Sequence, residues 1–515
     1  MLMPISIASA GFFRDWVKPA PVGRLSHFLT VPGLEHLDGE AKSIGICHHG
    51  DHGYHNGDSG AGASAGFPGD TPARGVAMKG MFRSLAGFNY RLWAGGAIVS
   101  NIGTWMQRTA QDWLVLTQLT RHNATALGVV IALQFAPQLL LLPLTGYAAD
   151  HFDRRKLLLV TQGILGVLAL GLGILTVAGW VQLWHVYVFA FLLGCAAAFD
   201  VPARQTFVSD LVGEADLSNA VALNSTSFNA ARMIGPAVAG TLIAIIGTGW
   251  VFLINAASFV AVLGSLLFLR TGELYLSQRV SRRSGGLASG FRYILQRPDL
   301  RMGMLMFFLI GTFGLNFPIF ISTMSVTVFH AGANQYGFLT STMAVGSIAG
   351  ALLAARREKP NIALLCVGAA IFGTGLALAA FMPDYLLFSI ALVIIGMSAQ
   401  TFTTTASSLV QLTTEPAMRG RVMAILLAIA LGGTPIGSPV VGWVADRFGP
   451  RWALGIGAAA GLGAALIGVY FLARYHHLRI ERVDGRIRCS FDEREYSAVE
   501  RVQPDTKDDS PVERS

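Results

Sequence analysis

Arg108 and Asp112 stand one helical turn apart in a stretch that is otherwise free of charge from Leu92 to Thr120, and Arg232 stands alone in a second such stretch. Ionisable groups placed that deep among apolar residues are costly, which makes each a functional candidate. An arginine can hold a carboxylate until a cargo molecule draws it away, and the freed carboxylate can then exchange a proton for that cargo. Asp112 with Arg108 or Arg232 is therefore a candidate for coupling transport to protons. The same residues also fit a permanent ion pair that pins one apolar run to another. Asp200 and Arg204, nearer the end of their run, read as interfacial anchors or gate contacts.

Other chemistries find little in the sequence. The phosphate-binding pattern GxxxxGK[ST] is absent, so ATP-driven pumping by this chain alone is excluded. His185 and His330 lie at the edges of apolar runs with no acidic cluster beside them, and no catalytic residues and no enzyme are expected. Cys47, Cys195, Cys366 and Cys489 are far apart and form no CxxC pair. His48, His49, His52 and His55 have a spacing that a transition metal could use, but they sit in the polar stretch CHHGDHGYHNGDSGAG. Without a rigid surrounding shell they read as a polar tail, and no metal or cofactor is expected.

The elements that must position these charges are apolar runs. The chain is 53% hydrophobic and only 13% charged, a composition that needs lipid around it. Runs of about 20 residues or more, enough at about 1.5 Å per residue to cross a core of about 30 Å, follow one another from residue 92 to 473. Breaking them at polar and Pro/Gly punctuation predicts spans at 92–120, 124–148, 157–178, 182–202, 218–246, 249–269, 302–328, 334–355, 362–381, 385–410, 420–445 and 452–473. The fold class is thus an all-α membrane protein of about twelve helices in two six-helix halves. The domain division is an N-terminal extension over 1–80, a bundle over 81–270, a linker loop over 271–301, a second bundle over 302–475 and a charged tail over 476–515.

The extension is too polar to order itself, and a start at Met78 or Met81 is an alternative reading of it. No signal peptide is recognisable. The tail reads as short helix mixed with disorder. The net charge of +8 is spread over short connections, which argues for a bilayer and against nucleic acid. Alternate connections hold Arg154, Arg155 and Lys156, then Arg204, then Arg279, Arg282, Arg283, Arg292 and Arg297, then Arg356, Arg357 and Lys359, then Arg419 and Arg421. The opposite set holds only Arg121, Arg447 and Arg451, so the positive-inside rule puts both termini in the cytoplasm.

The halves are weakly similar. Laying Pro236 on Pro439 without a gap brings Val238 onto Val441 and sets Gly442 one position short of Gly240, and a similar shift lays Gly146 on Gly350. A duplicated six-span unit places its binding site near mid-membrane between the halves and lets one half rock against the other. Polar residues expected to face that cavity are Gln134, Gln138, Asn229, Asn316 and Gln400, interleaved with Trp105, Phe135, Phe313 and Phe402. Such a lining suits a bulky organic molecule better than a sugar or an inorganic ion. Each amide fits a contact between helices about as well as a ligand contact.

Two motifs complete the pattern. In GYAADHFDRRK, Gly146 lets helices touch, Asp150 can accept bonds from a helix N-terminus, and Arg154, Arg155 and Lys156 mark a cytoplasmic end. In GPAVAG, Pro236 removes a backbone donor and bends its helix, while Gly235 and Gly240 let a partner close on the bend.

The first of these resembles the loop between the second and third spans of the major facilitator superfamily, G-x-x-x-D-R-x-G-R-R/K, with His151 and Asp153 as departures. The second resembles the G-P-x-x-x-G of its antiporters. Together with NIGTWMQRTAQDWLVL, FDVPARQTFVSDLVGEADLSNAVALNSTSFNAARMIGPAVAG and FLINAASF, they make residues 82–475 similar to the branch that holds the enterobactin exporter and macrolide efflux proteins. The resemblance implies a monomeric multi-pass transporter of the bacterial cytoplasmic membrane. It would export an amphipathic small molecule, siderophore or drug-like, by proton antiport with alternating access. Asp150 and Arg154 would help hold the outward-facing state. Ala190 stands where many drug–proton antiporters have an arginine, which argues against a proton relay through span four. The alternatives are a proton-coupled importer and a sensor that keeps a transporter fold without transporting.

Overall fold

A computed structural model describes residues 80, 82–275, 287–356, 360–475, 479–483 and 486–490. The expectations for the N-terminal extension and its histidines, and for Arg279, Arg282, Arg283, Arg357 and Lys359, lie outside the described residues. Span one is Phe88–Trp113, prolonged by a π-helical turn over Leu114–Leu119. Span two is Ala124–Leu140 continued by Leu142–His151, span three Arg154–Val177, span four Leu183–Leu211, span five Glu214–Ile246 and span six Thr248–Leu267. Span seven runs in pieces from Pro298–Leu309 to Met324–Val328, followed by Ala333–Ala355, Ile362–Ala380, Tyr385–Thr413, Pro416–Phe448 and Pro450–Tyr475 as spans eight to twelve. Among the described residues ten helices are long and apolar enough to cross a membrane, and the bent span two makes eleven. Span one differs because Asn101, Gln107 and Gln111, together with its charged residues, make it less apolar.

Local chemistry sets several boundaries. The side chains of Asn123, Asp153, Asn361 and Asp384 accept backbone N–H bonds at the starts of spans two, three, nine and ten, caps worth about 1 kcal/mol each. Span two bends by 56° at Leu141, where Pro137 has removed a helical donor and Pro143 opens the next piece. Span seven breaks at Leu315–Asn316, ahead of Pro318.

The duplication is written in the backbone. Spans one and seven both end in π-helical turns, and each is followed by a histidine in the left-handed region, His122 at φ 60° and His330 at φ 49°. The N–H of His122 donates to the Leu116 carbonyl, and that of Ala331 to the Ser325 carbonyl, six residues back in both cases. Spans five and eleven both end on a glycine of positive φ, Gly247 and Gly449.

Within the N-terminal half, span one packs on five and six, span three on four and six, and span two on four; spans eight with ten, nine with ten and twelve, and seven with eleven and twelve do the same in the other half. The halves meet along two seams, span two on eleven and span five on eight. Both are backbone-to-backbone. Gly128 lies against the carbonyl of Ser438 and Gly442 against that of Ala124; in the other seam Gly337 lies against the carbonyl of Pro236 and Gly240 against that of Ala333. These contacts sit toward the end that carries the 120–124 and 329–333 connections. At the other, basic end, the second piece of span two packs mainly on span four. Leu144 and Tyr147 there are more than half exposed, and nothing approaches Gly146. The bundle is closed at one end and open at the basic end.

A Cβ added at Gly337 would press on the Pro236 carbonyl, whereas one at Gly163 meets only open space. Gly337→Ala is therefore expected to cost about 1–3 kcal/mol of seam packing and Gly163→Ala almost nothing. Thermal unfolding of the purified variants measures this, and equal midpoints would refute the seam's role.

Two expectations need correction. The 271–301 connection is not a plain loop, because it contains the helix Leu287–Gln296, whose Gly290 packs on Arg421 and Ile425 of span eleven. In the tail, expected as short helix and disorder, the described residues form an antiparallel strand pair of β1 (Arg479–Val483) and β2 (Arg486–Ser490), with Val483 paired to Arg486.

Candidate functional site

Spans one, two and five together build a cluster of arginine and aromatic side chains. The guanidinium of Arg108 lies 5.1 Å from the centre of the Trp105 ring and 5.9 Å from that of Phe135. The guanidinium of Arg232, from span five, lies 5.8 Å from the same Trp105 ring. Phe228 meets Trp105 edge-on at 5.8 Å. Gly235 makes this convergence possible, since a side chain there would strike the Cβ of Trp105. Two cations thus share one indole, which supplies cation–π attraction of about 0.5–2 kcal/mol each but no negative charge.

The ion pair expected between Asp112 and Arg108 or Arg232 is not formed; no carboxylate lies within 4.0 Å of either arginine among the described residues. Asp112 turns instead to the other half of the protein. The Tyr336 hydroxyl, on span eight, donates to its Oδ2 at 3.1 Å, and the Tyr336 ring stacks on Trp113 at 5.9 Å. The site therefore splits into an arginine pair gathered on Trp105 and a carboxylate bridging the seam. Sequence spacing put Arg108 and Asp112 on one helix but carried no information about a partner 224 positions away.

The other expected lining residues divide. Gln138 donates to the Gln134 carbonyl and Asn229 to the Ser225 carbonyl, each on its own helix, and Gln400 donates to Thr404. Of the five amides, the four other than Asn316 are half-buried, as are Phe313 and Phe135. Asn316 is 2% exposed at the break of span seven, with Nδ2 donating to the Thr312 carbonyl and Oδ1 unpaired. Phe402 is a correction: at 1% exposure it packs against Phe307 in the C-terminal core and lines no opening.

Asp200 is not an interfacial anchor. It is buried and accepts from Thr161, from Gln162 at 2.5 Å and from Arg204, whose other branch donates to Asn101 at 3.0 Å. This network ties spans one, three and four and leaves both charges of the pair satisfied.

At the basic end, Arg154 binds Asp210 at 2.5 Å and Arg155 donates to the carbonyls of Leu266 and Leu267 at the end of span six. Lys156 is exposed, and the Asp150 side chain lies outside the described residues. The closed end has a lock that sequence reading missed. Asp446, at the end of span eleven, accepts from the backbone N–H groups of Ala124 and Thr125 at 2.7 and 2.8 Å and from the Thr125 hydroxyl at 2.5 Å, so a carboxylate of one half caps a helix of the other.

The chain matches the family described as transmembrane secretion effector over residues 83–493, most of its length. It belongs to that family. The chain is 26% identical over 383 residues to the staphyloferrin A transporter of Staphylococcus aureus, covering 74% of this chain and 95% of that one. It is 26% identical to the enterobactin exporter EntS of Shigella flexneri, covering 71% and 87%. Among solved structures it is similar to a bacterial homologue of the human lysosomal transporter Spinster, inward-facing and unoccupied, with a TM-score of 0.57 at 16% identity over 75% of this chain and 94% of that one. It is also similar to a D-xylose-proton symporter, with a TM-score of 0.58 at 15% identity over 76% and 97%. Those likenesses establish the fold. The chain is a multi-pass secondary transporter of the major facilitator superfamily.

Proposed function

We propose that this chain exports an amphipathic organic molecule, of siderophore or related drug-like type, across the bacterial cytoplasmic membrane in exchange for protons. The observation that carries the reading is Asp112: it stands one helical turn from a cargo-facing arginine and bonds to Tyr336 across the seam between the halves. A carboxylate in that position feels both the cargo and the closure of the gate. Protonation removes the charge that Tyr336 binds, so proton uptake and seam opening are linked.

With the basic connections in the cytoplasm, the opening described above faces the cytoplasm, the side from which an exporter collects its cargo. Opening the two glycine seams and closing the basic end would then release it outside, with Asp150 and Arg154 holding that second state. The staphyloferrin A and enterobactin relatives support a siderophore as cargo. The runner-up is proton-coupled import.

The test uses everted membrane vesicles containing the protein, an imposed proton gradient, and radiolabelled catecholate and carboxylate siderophores beside a macrolide. Gradient-dependent accumulation of one of them inside the vesicles is the expected result. Accumulation indifferent to the gradient would remove proton antiport, and loss of preloaded cargo driven by the gradient would reverse the direction.

A further inference from the structure

The arginine pair specifies the charge of the cargo. We infer that Arg108 and Arg232, mounted on Trp105, form an anion clamp, and that the molecule carried is a multivalent anion with a flat apolar body and not a cation. This deepens the reading just given and rests on it for the cargo's route, though not for its binding.

Two guanidiniums at 5.1 and 5.8 Å from the centre of one ring repel each other, and both are half-withdrawn from water. Placing a cation among apolar walls costs several kcal/mol unless an anion answers it, and cation–π contact returns only part of that. Three other half-buried arginines are answered by carboxylates, Arg154 by Asp210, Arg204 by Asp200 and Arg297 by Asp299, whereas Arg419, with its buried Nε unpaired, and Arg421, bonded only to the Met418 sulfur, are not. Arg108 and Arg232 make no hydrogen bond or ion pair among the described residues, and the one carboxylate nearby, Asp112, is turned to Tyr336.

Guanidinium forks on two different helices suit two oxyanions on one molecule, such as paired carboxylates or deprotonated catechols. Phe228, 46% exposed, and Phe135 offer flat apolar surface beside them. A basic macrolide would meet two like charges and no acceptor but Asp112. The wall therefore favours the anionic over the cationic class of amphipathic cargo.

Equilibrium binding to the purified, detergent-solubilised protein tests this without any gradient. The probes are 2,3-dihydroxybenzoate, citrate and the cationic macrolide erythromycin, followed by isothermal titration. At least one anion is expected to bind, more weakly as salt rises, with Arg108→Gln and Arg232→Gln each weakening it about tenfold or more. Arg108→Lys should keep part of the affinity, and Arg91→Gln, an exposed charge at the basic end, should keep all of it. Size-exclusion profiles identify variants that fail to fold, and the salt dependence of the unaltered protein then decides. Erythromycin binding with neither anion bound, or anion binding that is indifferent to salt and to both glutamine variants, overturns the clamp. Neither result touches the vesicle experiment on direction and coupling, so the two readings fail separately.

Discussion

Asp112→Asn is expected to abolish gradient-driven accumulation in everted vesicles while leaving cargo binding and downhill exchange in place. Asparagine has the size of aspartate, and its Oδ1 can still accept from the Tyr336 hydroxyl, so the bridge across the seam survives in shape. What disappears is the ability to gain and lose a proton. Tyr336→Phe is the complementary change: it keeps the carboxylate and removes the donor. A hydrogen bond to a charged acceptor is worth about 1.5–3 kcal/mol, so that variant should shift the seam equilibrium by roughly ten- to hundredfold and still respond to a gradient. If Asp112→Asn accumulates cargo as the unaltered protein does, Asp112 is a structural bridge only and the proton travels elsewhere.

The second large effect is expected at Asp446. Three hydrogen bonds join this carboxylate to the first residues of span two, where the helix dipole adds to the attraction. Asp446→Ala should remove about 1–2 kcal/mol from the closed seam, close to tenfold in the balance of the two states. Spin labels at Leu144 on span two and Leu412 on span ten, both exposed at the basic end, report that balance as a distance distribution. The short-distance population should grow as the basic end closes; an unchanged distribution would show that the cap decorates the seam without holding it.

Much of the architecture was legible because its signal is strong and local. Apolar runs fixed the number and order of spans, and Pro236 with its glycines marked a seam. The misses have particular causes. Asp446 stands in GWVADRFGPR, where Gly442, Ala445, Asp446, Phe448 and Arg451 repeat the spacing of Gly146, Ala149, Asp150, Phe152 and Arg155 in GYAADHFDRR. Sliding the motif along the chain would have found it. The tail strand pair also had a signal, since Asp484-Gly485 between alternating residues favours a two-residue turn. Tyr336 as the partner of Asp112 had none, because it depends on how span eight meets span one. Phe402 was misread because an aromatic on a span reads alike whether it faces a cavity or a neighbouring helix.

The glycine seams carry a further consequence for the cell that houses the protein. Where Gly128, Gly240, Gly337 and Gly442 bring backbone against backbone, no side chain intervenes and little room is left for a file of water molecules. Water wires conduct protons far faster than any rocking cycle turns over, so even a small gap would short-circuit the membrane battery that respiration charges. Small residues at these four positions are thus insulation: a host carrying a bulkier residue there would show a lowered membrane potential and slower growth even with no cargo to export.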